Sequence, residues 1–233
     1  MSTQKLTPPK TSMRLIREGS LSTKRAILDS AELIFARYGL AGTRTEDIAA
    51  GSGVTKAMIH YYFKTKDTLY QAMLDRVFLE REDGMDFDRL KNLSPNEALQ
   101  EFVKRLLHQM CAKPHIGPLF VHENIQNNGA FYQRSGGKLY PALMEIIERG
   151  SIEGIFRKMD PLHGAINIIG TCVHYFTIST NIRNLQHREL PTDSQFFLEH
   201  SIWATDFICN AMALKPELNN LMSVSRAANK KLT

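Results

Sequence analysis

The sequence predicts an all-α protein: an N-terminal three-helix helix-turn-helix domain followed by a C-terminal helical domain, about nine helices altogether. Three observations predict it. Apolar residues recur at helical spacing through most of the 233 residues. Helix-start signatures precede several of those runs, at Thr43, Thr65, Ser94, Asp160 and Thr192. Nowhere does strict apolar/polar alternation argue for a strand.

Residues 1–20 carry Pro8-Pro9 and scattered Ser and Thr, and read as a flexible arm. From Ser22 the pattern changes. Ile27, Ala31, Ile34, Phe35 and Tyr38 share one face of a first helix, which Gly39 stops. Thr43-Arg44-Thr45-Glu46 fits a capping box, with Thr43 as N-cap and Glu46 at the third position. The second helix is short, from about Arg44 to Ala50, and Gly51-Ser52-Gly53 breaks it. The third runs from about Thr55 to Phe63, and Thr65 caps a fourth. Residues 83–94 are charged and read as a connection. Ser94-Pro95-Asn96-Glu97 then starts a fifth helix with N-cap, proline and glutamate in order. Further helices are expected near 95–111, 116–127, 138–150, 161–184 and 193–214. The organisation that follows is an arm (1–20), a helix-turn-helix domain (21–68), a helical domain (69–214) and a polar tail (215–233).

Composition narrows the function classes. The net charge is +5. The first 25 residues hold Lys5, Lys10, Arg14, Arg17, Lys24 and Arg25 against Glu18 alone, so the rest of the chain is neutral overall. Between Ile48 and Lys66 there are three lysines and no carboxylate. Such a footprint suits a polyanion. No apolar run approaches the ~18 residues of a membrane span, and the start lacks the apolar run of a secretory signal. Three widely spaced cysteines, Cys111, Cys172 and Cys209, argue for a reducing compartment. Nucleotide-binding glycine motifs, the nucleophile elbow and H-E-x-x-H are all missing from the sequence, so no enzyme and no cofactor is expected. His108, Cys111 and His115 have the spacing of metal ligands on one helix face, but Pro114 breaks that helix. No metal is expected.

The second and third helices with their glycine turn have the form of a DNA reader. Ile48, Val54 and Ile59 are spaced to pack the pair on the first helix. Gly53 permits the turn. The third helix then presents Thr55, Lys56, Ala57, Met58, His60, Tyr61 and Tyr62. A recognition helix uses such residues on base edges in the major groove, with neighbours on phosphates.

The segment GTRTEDIAAGSGVTKAMIHYYFKTKDTLYQAML resembles the DNA-binding signature of the TetR family of bacterial repressors. The likeness rests on Ile48-Ala49, Gly53-Val54, the run Tyr61, Tyr62, Phe63, and Lys66 with Leu69. Ser52 departs from the usual alanine, and His60 from the usual tyrosine. The resemblance implies phosphate contacts from Thr43, Arg44 and Thr45. It implies base-facing roles for Thr55, Lys56, Ala57, Met58 and His60, and phosphate contacts from Tyr61, Tyr62 and Lys66. It also implies a homodimer on a palindromic operator of double-stranded DNA, released by a small-molecule effector, in the bacterial cytoplasm. An architectural or nucleoid-organising DNA-binding protein is the alternative on the same scaffold.

In the second domain the stretch from Phe120 through Ile169 to Trp203 is loosely similar to C-terminal domains of the pyrimidine-responsive branch, which assigns no ligand. Phe102, His108, Met110, Phe120, His122, Phe131, His174, Tyr175 and Asn181 combine apolar walls with few polar groups, the usual make-up of a small-molecule site. Ile169, Val173 and Phe176, with Ile166, form one apolar face. Phe196, Trp203 and Phe207, with Ile202, form another. Two such helices per subunit would make a four-helix dimer bundle.

Overall fold

The computed structural model describes residues 10–130, 137–178 and 195–214, with the side chains of 10–18, 79–83 and 195–196 left out. Ten helices are described: α1 (Lys10–Gly42), α2 (Thr45–Ser52), α3 (Lys56–Phe63), α4 (Lys66–Asp83), α5 (Phe87–Asn92), α6 (Pro95–Ala112), α7 (Ile116–Asn127), α8 (Leu139–Ile152), α9 (Pro161–Thr177) and α10 (Gln195–Met212). Among the described residues the only β-type pairing is an isolated bridge between Phe156 and Ala213. The all-α class holds.

Local chemistry explains most boundaries. Ser94 Oγ accepts from the Glu97 amide while the Glu97 carboxylate accepts from the Ser94 amide, with Pro95 at the first helical position. Asp160 accepts from the amides of Leu162 and His163 ahead of α9, again with proline following. Each such cap stabilises its helix by about 1 kcal/mol. Thr65 Oγ1 accepts from the Thr68 amide at the start of α4.

Three expectations need correction, and a fourth falls on residues outside the description. The arm expected at 1–20 is helical from Lys10, since α1 begins there. Its first turns have no proline after Pro9, and Arg14, Leu15, Ile16 and Arg17 are compatible with helix. The connection expected at 83–94 contains α5, capped by Asp86, whose side chain accepts from the Arg89 amide. Thr43 is not the N-cap of α2; Arg44 holds that position and makes no side-chain cap bond. Thr43 Oγ1 instead donates to the Gly39 carbonyl at 2.7 Å. Finally, the starts and ends expected at Thr192 and near 184 lie outside the described residues.

The chain divides into two compact units, one of Met1–Val77 with Pro118–Ser135, the other of Phe78–Gly117 with Gly136–Thr233. This differs from a boundary at 68/69: α4 belongs to the first unit as far as Val77, and α7 from Pro118 belongs there too. In that unit Ile27, Ala31, Phe35, Ile48, Ile59, Phe63, Leu69, Tyr70 and Met73 are buried. Phe35 meets Tyr70 edge-on with ring centroids 4.8 Å apart. Tyr70 donates its hydroxyl to Glu123 Oε2 at 3.0 Å, and Asn127 Nδ2 donates to the same oxygen at 2.7 Å. That pairing keeps a carboxylate inside the core. Burial first, and the Glu123 charge second, push the Tyr70 phenol well above its ordinary range. α1 stops being helical at Gly39, whose φ of 67° suits glycine. The Gln126 side chain lies where a Cβ on Gly39 would be, and its Oε1 accepts from the Ala41 amide.

The second unit is built on α6, α8, α9 and α10. Leu99, Phe102, Val103, Leu106, Met110, Leu143, Ile147, Phe156, Ile168, Cys172, Phe176 and Ile208 are buried. Burial pushes the Cys172 thiol up to about 12, so it stays protonated and apolar. Arg149 ties α8 to the end of α5, its guanidinium donating to the carbonyls of Leu90, Lys91 and Leu93.

His200 yields a pH prediction. Its ring stacks on Tyr175 with centroids 4.2 Å apart, and its Nε2 is buried with no hydrogen-bond partner among the described residues. Burial holds its pKa below the ordinary value. Below pH ~6.5 the unfolded chain therefore takes up a proton that the folded chain refuses, so stability rises with pH up to that value. Urea unfolding of His200→Phe should show a smaller loss between pH 7.5 and 5.5 than the parent. Equal losses would refute the assignment.

Candidate DNA-binding surface

The recognition element is assembled locally. Gly53 ends α2 in the left-handed region at φ 69°, and its amide donates to the Ala49 carbonyl. Thr55 then caps α3, its side chain accepting from the Met58 amide. Ile59 and Phe63 are buried and Ile48 is fully so, which fixes α3 through one stripe. Val54 is half-buried. The opposite stripe is left to solvent.

That stripe carries most of the expected contacts. Thr55, Lys56, Ala57, Met58, His60 and Tyr61 are exposed. Tyr61 is 71% exposed. Its ring meets Tyr62 edge-on and lies under the Lys64 ammonium, 5.6 Å from the centroid. Tyr62 is half-buried, and its hydroxyl donates to Ser20 Oγ of α1 at 3.2 Å. Arg44 is exposed and Thr45 half-buried at the start of α2.

Two expected contacts are placed otherwise. Thr43 is 3% exposed and its hydroxyl is committed to the Gly39 carbonyl, so it supports the turn rather than the surface. Lys66 is half-buried and its Nζ donates to the Thr43 carbonyl at 3.0 Å. Its ammonium satisfies a carbonyl left over by the α1–α2 connection. Glu46, expected to close a capping box, instead reaches Lys56, with Nζ 2.6 Å from Oε1. That side-chain bond is the first cause holding the Glu46 carboxyl below its ordinary value. Sequence reasoning gave Glu46 no place on this surface. Its spacing of ten residues from Lys56 crosses a turn, so no helical periodicity connects them.

In the second unit the residues expected at a small-molecule site differ in burial. Phe102 and Met110 are fully buried core, Tyr175 is 8% exposed, and His108 and His174 face solvent. Phe120 and His122 belong to the other unit. Phe131 and Asn181 lie outside the described residues. A cavity of about 330 Å³ between α9 and α10 is lined by Arg157, Asn167, Ile168, Thr171, Phe207 and Ile208 among others, none of them in the expected set.

The expected dimer face is corrected in phase. Ile169 and Phe176 are buried and Val173 is half-buried, because they continue the inward stripe of α9. Phe176 packs near Phe197, with centroids 6.0 Å apart. Ile166 is 46% exposed on the other side of the same helix. On α10, Ile202, Trp203 and Phe207 are exposed as expected. The Phe196 side chain is outside the description. The described residues hold no group of three His, Cys, Asp or Glu able to bind a metal. None of their helices is long and apolar enough to cross a membrane.

Comparison with known proteins agrees with this layout. Residues 27–73 match the family model "Bacterial regulatory proteins, tetR family". Residues 95–196 match "Tetracyclin repressor-like, C-terminal domain". The HTH-type transcriptional repressor NicS of Pseudomonas putida is 27% identical over 160 residues, covering 66% of this chain and 75% of that protein. The HTH-type transcriptional regulator RutR of Escherichia coli is 27% identical over 177 residues, covering 75% and 82%. Among solved structures, HlyIIR, a hemolysin II transcriptional regulator, superposes with a TM-score of 0.63 at 21% identity, over 84% of this chain and 99% of that one. A TetR transcription regulator from Haloarcula marismortui gives 0.61 at 20% identity, over 82% and 98%. The two structures speak to the fold alone. The two family models, matched in order across both units and well over half of the sequence, show that the chain belongs to the TetR family of bacterial regulatory proteins, DNA-binding regulators of transcription.

Proposed function

We propose that the protein is a homodimeric repressor that places one α3 per subunit in consecutive major grooves of a palindromic operator and is released by a small-molecule effector. The observation that carries this reading is the outward stripe of α3. Lys56, Met58, His60 and Tyr61 are exposed around a rigid, capped helix, and nothing in the fold requires four large side chains at those positions. Arg44 and Thr45 stand at the neighbouring helix start, where phosphate is favoured. Tyr62 joins this surface at its edge. The basic residues of the N-terminal segment would add phosphate contacts.

Dimerisation is supported by the apolar side chains left in solvent on α10. Ile202, Trp203 and Phe207 are each at least 64% exposed, with Ile166 on α9. Large exposed apolar residues in one stripe are what a subunit interface covers. Two-fold pairing in turn demands an operator of inverted symmetry. Effector release follows the habit of the family, and a coupling of ~1–3 kcal/mol is enough for it. We place the protein in the cytoplasm and assign it no enzymatic activity.

One experiment tests the core of this. Duplexes selected from a random pool should carry an inverted repeat, and the protein should run as a dimer alone and on that DNA. Phe207→Glu should yield monomer and lose the preference for the repeat. Selected sequences without symmetry, or a monomeric parent, would overturn the proposal. Dispersed binding across a genome would favour the architectural alternative.

A further inference from the structure

Glu46 is a carboxylate on a surface otherwise suited to a polyanion. It lies on α2, ten positions before Lys56 on α3, and its Oε1 accepts from Lys56 Nζ at 2.6 Å. Thr45 Oγ1 lies 3.3 Å from its other oxygen. Both members of the pair are largely in solvent, with side chains 64% and 59% exposed. An ion pair that exposed adds little to folding. Lys56 needs no partner to be stable in water, and Glu46 would serve the first turn of α2 equally well without it. The pair therefore adds little to the fold, and it sits at the N-terminal end of the recognition helix, where base edges are read.

Its chemistry in that place is definite. A lysine beside DNA is attracted to any phosphate, which gives affinity without sequence preference. With its ammonium held by Glu46, Lys56 is drawn less to the backbone and is kept at the mouth of the α2–α3 turn. There an ammonium donates to guanine O6 and N7, while a carboxylate accepts from the cytosine amino group. A carboxylate also repels phosphate, so this corner approaches DNA favourably only where a base donor meets it.

Resting on the DNA-binding reading above, we propose that Glu46 is a specificity-determining residue. It directs Lys56 to base edges and penalises contact of this corner with the phosphate backbone.

The test compares parent, Glu46→Gln, Lys56→Met and the double variant on two probes. One is a random-sequence duplex and the other is the duplex that the parent selects from a random pool. Binding is measured by fluorescence anisotropy across a salt series. Glu46→Gln should bind the random duplex several-fold more tightly, with a salt slope steeper by about 0.9, the value for one added phosphate contact. Its preference for the selected duplex should fall about tenfold, the scale of one base contact. In the Lys56→Met background the steeper slope should not appear. An unchanged preference and slope for Glu46→Gln, or equal weakening on both probes, would overturn the proposal while leaving the DNA-binding reading intact. A parent with no affinity for either duplex at low salt would overturn that reading, and the proposal with it.

Discussion

Replacing Arg76 by leucine is expected to destabilise the first unit by about 3 kcal/mol, the lower end of what breaking a buried ion pair costs. Arg76 on α4 reaches back to α1. Its Nη2 donates to Glu32 Oε2 at 2.7 Å and its Nη1 to Asp29 Oδ1 at 2.5 Å. The two acids are not equivalent. The Asp29 side chain is 61% exposed and can recover its hydration, whereas that of Glu32 is 5% exposed. Burial alone would lower the Arg76 pKa, yet the bonds to Glu32 and then Asp29 raise it overall. Attraction therefore outweighs desolvation at this site. Without the guanidinium, the Glu32 charge stays inside the helix 1–helix 4 packing with a main partner gone. Urea titration should show the loss in Arg76→Leu, and a change under about 1 kcal/mol in Asp29→Asn. Pairing Arg76→Leu with Glu32→Leu should restore most of the stability, since a buried ion pair replaced by apolar groups is often neutral. A single variant as stable as its parent would refute the account.

The elements read correctly from sequence are those decided within one turn of chain. Thr55 and Ser94 cap because their side chains reach an amide three residues on. Gly53 ends α2 because only glycine takes φ 69° cheaply. The fold class and the recognition helix follow from such signals. What was illegible depends on distant partners. Thr43 had the spacing of a cap, but carbonyls of the preceding helix offered its hydroxyl a closer bond. Lys66 looked like a free cation until the carbonyl of Thr43 came within reach. Glu46 looked like half of a capping box, and its partner lies on the next helix.

The dimer face shows a second limit. α9 carries apolar residues on two sides, Ile168, Ile169, Cys172 and Phe176 inward and Leu162 with Ile166 outward. Periodicity reveals both stripes without saying which one the chain's own core will take. The small-molecule set meets a related limit. Its members share residue type, and type does not distinguish Phe102 in the core from His174 in solvent.

Tyr61 carries the second large effect, this time on binding. Its side chain is 71% exposed on the outward stripe of α3, and among the described residues its ring meets Tyr62, the next residue, and the Lys64 ammonium, three residues on. Removing it opens no cavity, so Tyr61→Ala should melt within a degree or two of the parent. A phenol that donates to a phosphate makes a hydrogen bond to a charged group, of about 1.5–3 kcal/mol. The same variant should therefore lose roughly 10–100-fold in affinity for DNA, by a similar factor on selected and random duplexes, because phosphate contacts carry no sequence information. Tyr61→Phe separates the hydroxyl from the ring: a loss close to that of alanine assigns the effect to the bond, and a near-parental affinity assigns it to ring packing against the sugar edge. Affinity unchanged in both variants would remove Tyr61 from the interface. A fall in melting temperature matching the loss of binding would mean that the exposed ring supports α3 rather than the DNA.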